Sequence, residues 1–394
     1  MKKTHPLMVR RLFALSVAGL LSLSACGGSS ADTAASDTTA AAATDSSASD
    51  IAAARVTKYL QTITDISLGD APTSVPEAKT IYYIACSVAV CAEIQVGVEA
   101  AAKALGWTFK STSHQDTPET VAAAFDAAIA AKPDVVMSSG NPREWFADQL
   151  TTLQSMNIPL ISWSLPEGYE PGNGIAANVL SADDYYFYGV LMADYSVANS
   201  KNKNIRFIGL PVFPVLSLVQ QGFNDEIAKI CPDCKVETQE IAISDIGVNL
   251  PGQIVSALQA DPSLDFIAYA FGGMMYGVPD ALDAAGLIDQ AKAVSQAGGP
   301  MNFDFIKSGR HQLGEVALAS ELLGWRVVDM AVSLLSGGTI SKAPASETIA
   351  GHTDIGLNGL PLQILQADTI TDATKLWPGV VGFQDKFLAR WGKK

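Results

Sequence analysis

At 394 residues the chain is long enough for two substantial cores rather than one ordinary domain. Hydrophobic residues make up 48% and charged residues 17%, so most of the chain should fold. With 40 Asp and Glu against 26 Lys and Arg, the formal net charge is −14. A body that acidic is repelled by phosphates and anionic headgroups, which excludes nucleic acid as a partner.

The N-terminus carries the compartment signal. Lys2, Lys3, Arg10 and Arg11 precede an apolar run from Leu12 to Leu23 that is too short to span a bilayer comfortably. The run closes on Leu23-Ser24-Ala25-Cys26, which resembles the lipobox of bacterial lipoproteins. That resemblance implies a signal peptide over residues 1–25 and a lipidated Cys26, anchored by acyl chains without a transmembrane helix. An ordinary cleaved signal peptide is the alternative. Arg10-Arg11-Leu12-Phe13 partly resembles a twin-arginine export signal, although general secretion fits better. From Gly27 to Asp50 only Gly, Ser, Ala, Asp and Thr occur, so residues 26–53 are expected to form a disordered tether. Residues 54–78 follow as an N-terminal extension.

Four cysteines remain for the folded body: Cys86, Cys91, Cys231 and Cys234. An even number outside the cytoplasm favours disulfides, with three connectivities open. The local pairs 86–91 and 231–234 are the simplest. Cys231-Pro-Asp-Cys234 has neither a second CxxC nor a nearby His, which argues against a zinc or redox site. No metal and no cofactor is expected.

Apolar runs with strand character recur at Thr80–Ala85, Val135–Met137, Leu160–Trp163, Ile205–Leu210, Phe266–Ala270 and Val316–Ala319. Segments with helical spacing lie between most of them: Ile94, Val98, Ala101 and Leu105 share a face, as do Val121, Phe125, Ala128 and Ile129, and later Phe223, Ile227 and Ile230. Such alternation predicts an α/β protein of two doubly wound, parallel-sheet domains. Ligands in these folds bind beyond the carboxyl ends of the strands.

The order of segments resembles the type 1 periplasmic binding proteins, the ribose- and galactose-binding group that serves ABC importers. Gly97 followed by Ala100-Ala101-Ala102-Lys103-Ala104-Leu105-Gly106-Trp107 is similar to the family's first helix and its end. Lys132-Pro133-Asp134-Val135-Val136 resembles the entry to its third strand, and Ile158-Pro159-Leu160-Ile161 its fourth strand. Gly222-Phe223 and Ala281-Leu282-Asp283-Ala284-Ala285-Gly286 resemble two helices of the second domain. Cys86 and Cys91 are also similar to a cysteine pair in actinobacterial members. The resemblance implies two lobes joined by a three-crossover hinge: 79–181 with 319–345 forming one, 182–318 with 346–394 the other.

Sugar binders of this family hold hydroxyls with charged and amide side chains, because each desolvated hydroxyl needs a partner. At the matching positions this chain carries Ser164-Leu165 after Trp163, Val219, Phe271-Gly272, Ala297 and Leu318, with Val90-Cys91 after the first strand. Polar anchors have become small or apolar, which points to a less hydroxylated ligand of apolar or aromatic character. Candidate walls are Val90, Trp163, Phe271 and Leu318; candidate orienting groups are Ser87, Asn141, Ser164 and Gln296, with Gly272 beside them. Each aromatic has core packing as its ordinary alternative role, and each polar group has helix capping. His114 and Arg143 are candidates for meeting an acidic ligand group, although surface solvation is the commoner fate of such residues.

The function expected is a solute-binding lipoprotein at the outer face of the cytoplasmic membrane. It would capture a small molecule and deliver it to an ABC permease, as a monomer, as is usual in that family. A sugar binder with a non-standard pocket, or a sensor presenting its ligand to a membrane receptor kinase, is the alternative. An enzyme is not expected: His114, His311 and His352 are scattered, and neither H-E-x-x-H nor G-x-S-x-G occurs.

Overall fold

The computed structural model describes residues 47–393, so the expected signal peptide, Cys26 and most of the tether lie outside the described residues. The first element, α1 (Ala48–Tyr59), corrects the expected tether boundary at residue 53. A reciprocal cap starts it, Asp50 N donating to Ser47 Oγ and Ser47 N to the Asp50 carboxylate. Its Ala52, Arg55, Val56 and Tyr59 are buried.

The chain then alternates through β1 (Thr80–Ala85), α2 (Ala89–Leu105), β2 (Thr108–Ser113), α3 (Pro118–Ala131) and β3 (Val135–Ser139). It continues with α4 (Ala147–Ser155), β4 (Leu160–Trp163) and β5 (Ile175–Asn178). These strands form one parallel sheet in the order β2-β1-β3-β4-β5. After α5 (Ala182–Asn199) come β6 (Asn204–Gly209), α6 (Pro214–Ile230), β7 (Lys235–Glu240), α7 (Leu250–Ala260) and β8 (Phe266–Tyr269). Then follow α8 (Val278–Ala285), β9 (Lys292–Gln296), α9 (Pro300–Ser308), β10 (Gln312–Ala317) and α10 (Ser320–Leu335). The last two elements are β11 (Gln363–Leu365) and α11 (Phe383–Arg390). The second sheet runs β11-β10-β9-β8-β6-β7, parallel except for the β10–β11 pair. The expected strand at 316–319 ends earlier, at Ala317, which leaves Leu318 in the passage to α10.

Two helix pairs lie unusually close, and glycines permit it. A Cβ on Gly97 of α2 would stand 2.1 Å from Glu321 O of α10, and one on Gly324 would stand 2.5 Å from Ile94 O. Between α5 and α6 the arrangement repeats, with Gly189 against Val219 O and Gly222 against Tyr186 O, each at 2.0 Å. No side chain fits at such positions, so these are backbone-to-backbone contacts.

On α10, Arg326 is 1% exposed and still fully engaged. It donates to Asp329 Oδ2 at 2.7 Å, to Asn358 O at 2.8 Å and to Ser341 O at 2.7 Å. Asp329 also accepts from Arg390 Nε and from Trp391 Nε1 at 2.9 Å. Trp325 stacks on Trp391, with ring centroids 5.5 Å apart. The segment 346–394, expected with the second lobe, therefore divides: β11 extends the second sheet, whereas α11 packs on α10, which itself packs on α2.

The N-terminal helix packs on α5 and α6. Arg55 Nη2 donates to Glu226 Oε1 at 2.8 Å, and its Nε lies 3.1 Å from Asp194 Oδ2 without hydrogen-bond alignment. From there residues 60–67 lead across to the α10–α11 side, where Ser341 Oγ donates to Leu68 O at 3.0 Å and Arg390 Nη1 to Gly69 O at 2.8 Å. Burial pushes the Asp194 carboxyl up to about 8; Arg55 opposes the shift and Glu226 adds to it. The folded protein holds this proton longer than the unfolded chain does. This group's contribution to stability is therefore largest at low pH and is lost as pH rises from about 4 to about 8. Asp194→Asn should accordingly gain melting temperature relative to wild type between about pH 5 and pH 9. A difference that stays constant across that range would refute this.

Candidate functional site

The carboxyl ends of both sheets face a common cleft, and the strand orders reverse direction there, between β1 and β3 and between β6 and β8. Such switch points leave a crevice because successive crossovers depart to opposite faces. A cavity of about 90 Å³ lies in this position, lined from both sheets.

From the first sheet, β1 is followed directly by Cys86, which is bonded to Cys91 with Cα atoms 5.6 Å apart. The bond closes the turn into α2 and presents Val88 and Val90 to the cavity. The second pair, Cys231–Cys234, closes a turn after α6, far along the chain from the cleft. β3 ends at Ser139-Gly140, and a Cβ on Gly140 would fall 1.8 Å from Ser164 O, so only glycine allows the two strand ends to meet. Ser164 follows Trp163 with φ +66° and pairs its hydroxyl with that of Tyr185 at the start of α5. Burial raises the Tyr185 phenol well above its ordinary value, keeping it protonated.

From the second sheet come Phe213, Val215 and Leu216 at the head of α6, Phe271 after β8, and Gln296-Ala297 after β9. Gln296 is 1% exposed; its Nε2 donates to Ala270 O at 2.8 Å, and its Oε1 has no partner. Of the expected residues, Val90, Trp163, Ser164, Phe271, Gln296 and Leu318 therefore come together around one cavity.

Ser87, Asn141 and Gly272 do not line it. Ser87 donates its N–H, at 3.0 Å, and its hydroxyl to Asp116 Oδ2. Asn141 Nδ2 faces His114 Nε2 at 3.3 Å. Gly272 O accepts from Asn302 Nδ2 at 3.1 Å, and a Cβ there would meet Gly298 at 2.6 Å. All three hold the walls rather than form them.

The two candidates for an acidic ligand group are placed otherwise than expected. Arg143 is engaged by Glu167 through Nε at 2.6 Å and Nη2 at 2.7 Å. His114 is buried beneath the β1–β3 ends, where desolvation lowers its pKa despite Asp116 at 3.3 Å. The imidazole is therefore neutral and out of the cavity. Lining residues that sequence reasoning missed include Asp116, Ser139, Tyr185, Phe213 and Leu216. Asp116 was discoverable by the strand-end rule, had β2 been recognised as a strand.

Among the described residues no cluster of His, Cys, Asp and Glu is arranged for a metal, and no helix is long and apolar enough to cross a membrane. Residues 86–339 match the model of the periplasmic binding protein domain family, which spans more than half of the chain. The chain belongs to the periplasmic binding protein family. As such it is a ligand binder rather than an enzyme. No curated relative matches it.

Solved structures share this binding protein's fold at low identity. An ABC transporter solute-binding protein from Agrobacterium vitis, bound with α-D-tagatopyranose, is 20% identical with a TM-score of 0.62, covering 75% of this chain and 96% of its own. One from Actinobacillus succinogenes, with bound D-allose, is 17% identical with a TM-score of 0.61, covering 74% and 98%. A putative LacI transcriptional regulator from Bacteroides fragilis reaches the same TM-score of 0.61 at 13% identity, covering 74% and 98%. ABC transporter solute-binding proteins and a putative regulator are thus similarly good likenesses, and similarity at this level speaks to the fold alone.

Proposed function

We propose that this periplasmic binding protein is the extracytoplasmic solute-binding lipoprotein of an ABC importer. It captures a small molecule between its lobes, closes about the three crossovers, and presents the closed form to a permease. The observation that carries the ligand class is the cavity wall. Val88, Val90, Phe213, Val215, Phe271 and Leu318 line it, and by the resemblance Phe271 and Leu318 stand where sugar binders carry polar partners. A polyol desolvated there would leave hydroxyls unpaired, at roughly 1–3 kcal/mol each. Apolar or aromatic surface laid against those six residues loses nothing comparable and gains burial. Anchoring through Cys26 rests on the lipobox-like Leu23-Ser24-Ala25-Cys26 and the polar tract after it.

The sugars named in the two ABC transporter solute-binding protein structures favour a second reading, a sugar-binding importer component with an atypical pocket. One experiment separates them: a thermal-shift screen of the full chain against hexoses, pentoses, polyols, nucleosides and aromatic compounds. A ligand that binds only the folded state raises stability by about 2.7 kcal/mol at a hundredfold excess over its Kd. Aromatic or apolar compounds should shift the midpoint and simple sugars should not; a clear shift with a hexose or pentose would establish the second reading. The screen is repeated on Cys26→Ala, whose recovery in the soluble rather than the membrane fraction tests the anchor.

A further inference from the structure

The polar groups that face the cleft are lopsided in kind. Asp116 lines the cavity with its side chain only 6% exposed. Its Oδ2 is held by the Ser87 N–H and hydroxyl, and its Oδ1 lies 3.3 Å from the ring of His114, which is neutral. Among the described residues Asp116 has no Lys or Arg ion-pair partner, and no Lys, Arg or His lines the cavity. Across the cleft Gln296 Oε1 is a second buried acceptor, with no hydrogen-bond partner. The rest of the wall holds four aromatic rings: Trp163, Tyr185, Phe213 and Phe271.

A carboxylate closed into an apolar cleft is costly unless a positive charge accompanies it. Aromatic faces are attractive to cations for the same electrostatic reason. An acceptor without a partner asks for an N–H or O–H donor. Each requirement is met by the same chemistry, and an anionic ligand meets none of them.

We propose that the cleft selects a protonated amine carried on a compact aromatic or apolar skeleton, with Asp116 as its counter-ion and Gln296 Oε1 as an acceptor on the opposite lobe. This rests on the reading of the cleft as the ligand site and makes that reading specific. Asp116 serves one lobe and Gln296 the other, so a ligand donating to both holds the lobes together. The Ser87 contacts keep the Asp116 carboxylate fixed while it waits for that partner.

Isothermal titration of the full chain at neutral pH with 2-phenylethylamine, 2-phenylethanol and phenylacetate varies charge on a nearly constant skeleton. The amine should bind at least about tenfold tighter than the alcohol, and the carboxylate should give no heat. Asp116→Asn should remove the amine's advantage, bringing the amine and the alcohol to within about twofold of each other. If that variant fails to fold, the wild-type series with Phe271→Ala still decides, since losing the ring should weaken both amine and alcohol while preserving the order. An alcohol or carboxylate that binds as tightly as the amine overturns the amine assignment but leaves an apolar-ligand site standing. Simple sugars binding while all three probes stay inert at millimolar concentration overturns the ligand class as well.

Discussion

Asp329→Ala should lower the unfolding free energy by about 3–5 kcal/mol, among the largest losses available to a single substitution here. The carboxylate lies at 0% exposure and is shared by Arg326, Arg390 and the indole N–H of Trp391. Removing it strands a guanidinium that is itself 1% exposed, and an unpaired buried charge costs far more than the pair contributed. The loss also loosens the stack of Trp325 on Trp391, and with it the docking of α11 on α10. Urea denaturation of wild type and variant measures the effect. A midpoint shift corresponding to less than about 1 kcal/mol would show that Arg326 is satisfied by its carbonyl contacts to Asn358 and Ser341 alone.

The second large effect is expected at the α5–α6 contact. Gly222→Ala places a methyl where Tyr186 O stands 2.0 Å away, and backbone cannot step aside as a flexible side chain can. The helices must separate along a face that carries Gly189, Val219 and Phe223, giving an expected loss of about 3 kcal/mol, the upper end for overpacking. Gly189→Ala meets Val219 O at the same 2.0 Å and should cost a similar amount. Once one methyl has forced the helices apart, the second finds room. The double variant should therefore lose clearly less than the sum of the two, a departure of at least about 1 kcal/mol. Strict additivity would mean that each methyl is absorbed locally, without helix separation.

The elements legible in the sequence are those whose side chains are buried on both faces. Thr80–Ala85, Leu160–Trp163 and Phe266–Tyr269 were placed within a residue of their observed bounds because central parallel strands are continuously apolar. The edge strands β2 and β7, Thr-Phe-Lys-Ser-Thr-Ser and Lys-Val-Glu-Thr-Gln-Glu, keep four of their six residues exposed and resemble loops in composition. That omission had a functional consequence, since the end of β2 delivers Asp116. The cavity's aromatic walls at Trp163 and Phe271 were accessible through the strand-end rule. Tyr185, Phe213 and Leu216 come from helix starts, whose approach to the cleft depends on how the two sheets face each other. The partner of Arg143 is hidden from the sequence for a related reason: Glu167 lies 24 residues away along the chain and is adjacent only in space.

The α1 helix gives the chain one more passage between its lobes than the hinge itself requires. Held on α5 and α6 through Arg55, it is followed by residues 60–67, which join it to Leu68 and Gly69 on the α10–α11 side. Eight residues reach at most roughly 27 Å when fully drawn out. Asp65 within it already pairs with Lys386 of α11, so the free run is shorter still, and it bounds how far α5 and α6 can move from α10 and α11 while both of its ends stay docked. The opening of the cleft, and with it the largest solute that can enter, is thereby bounded by a segment that does not line the pocket.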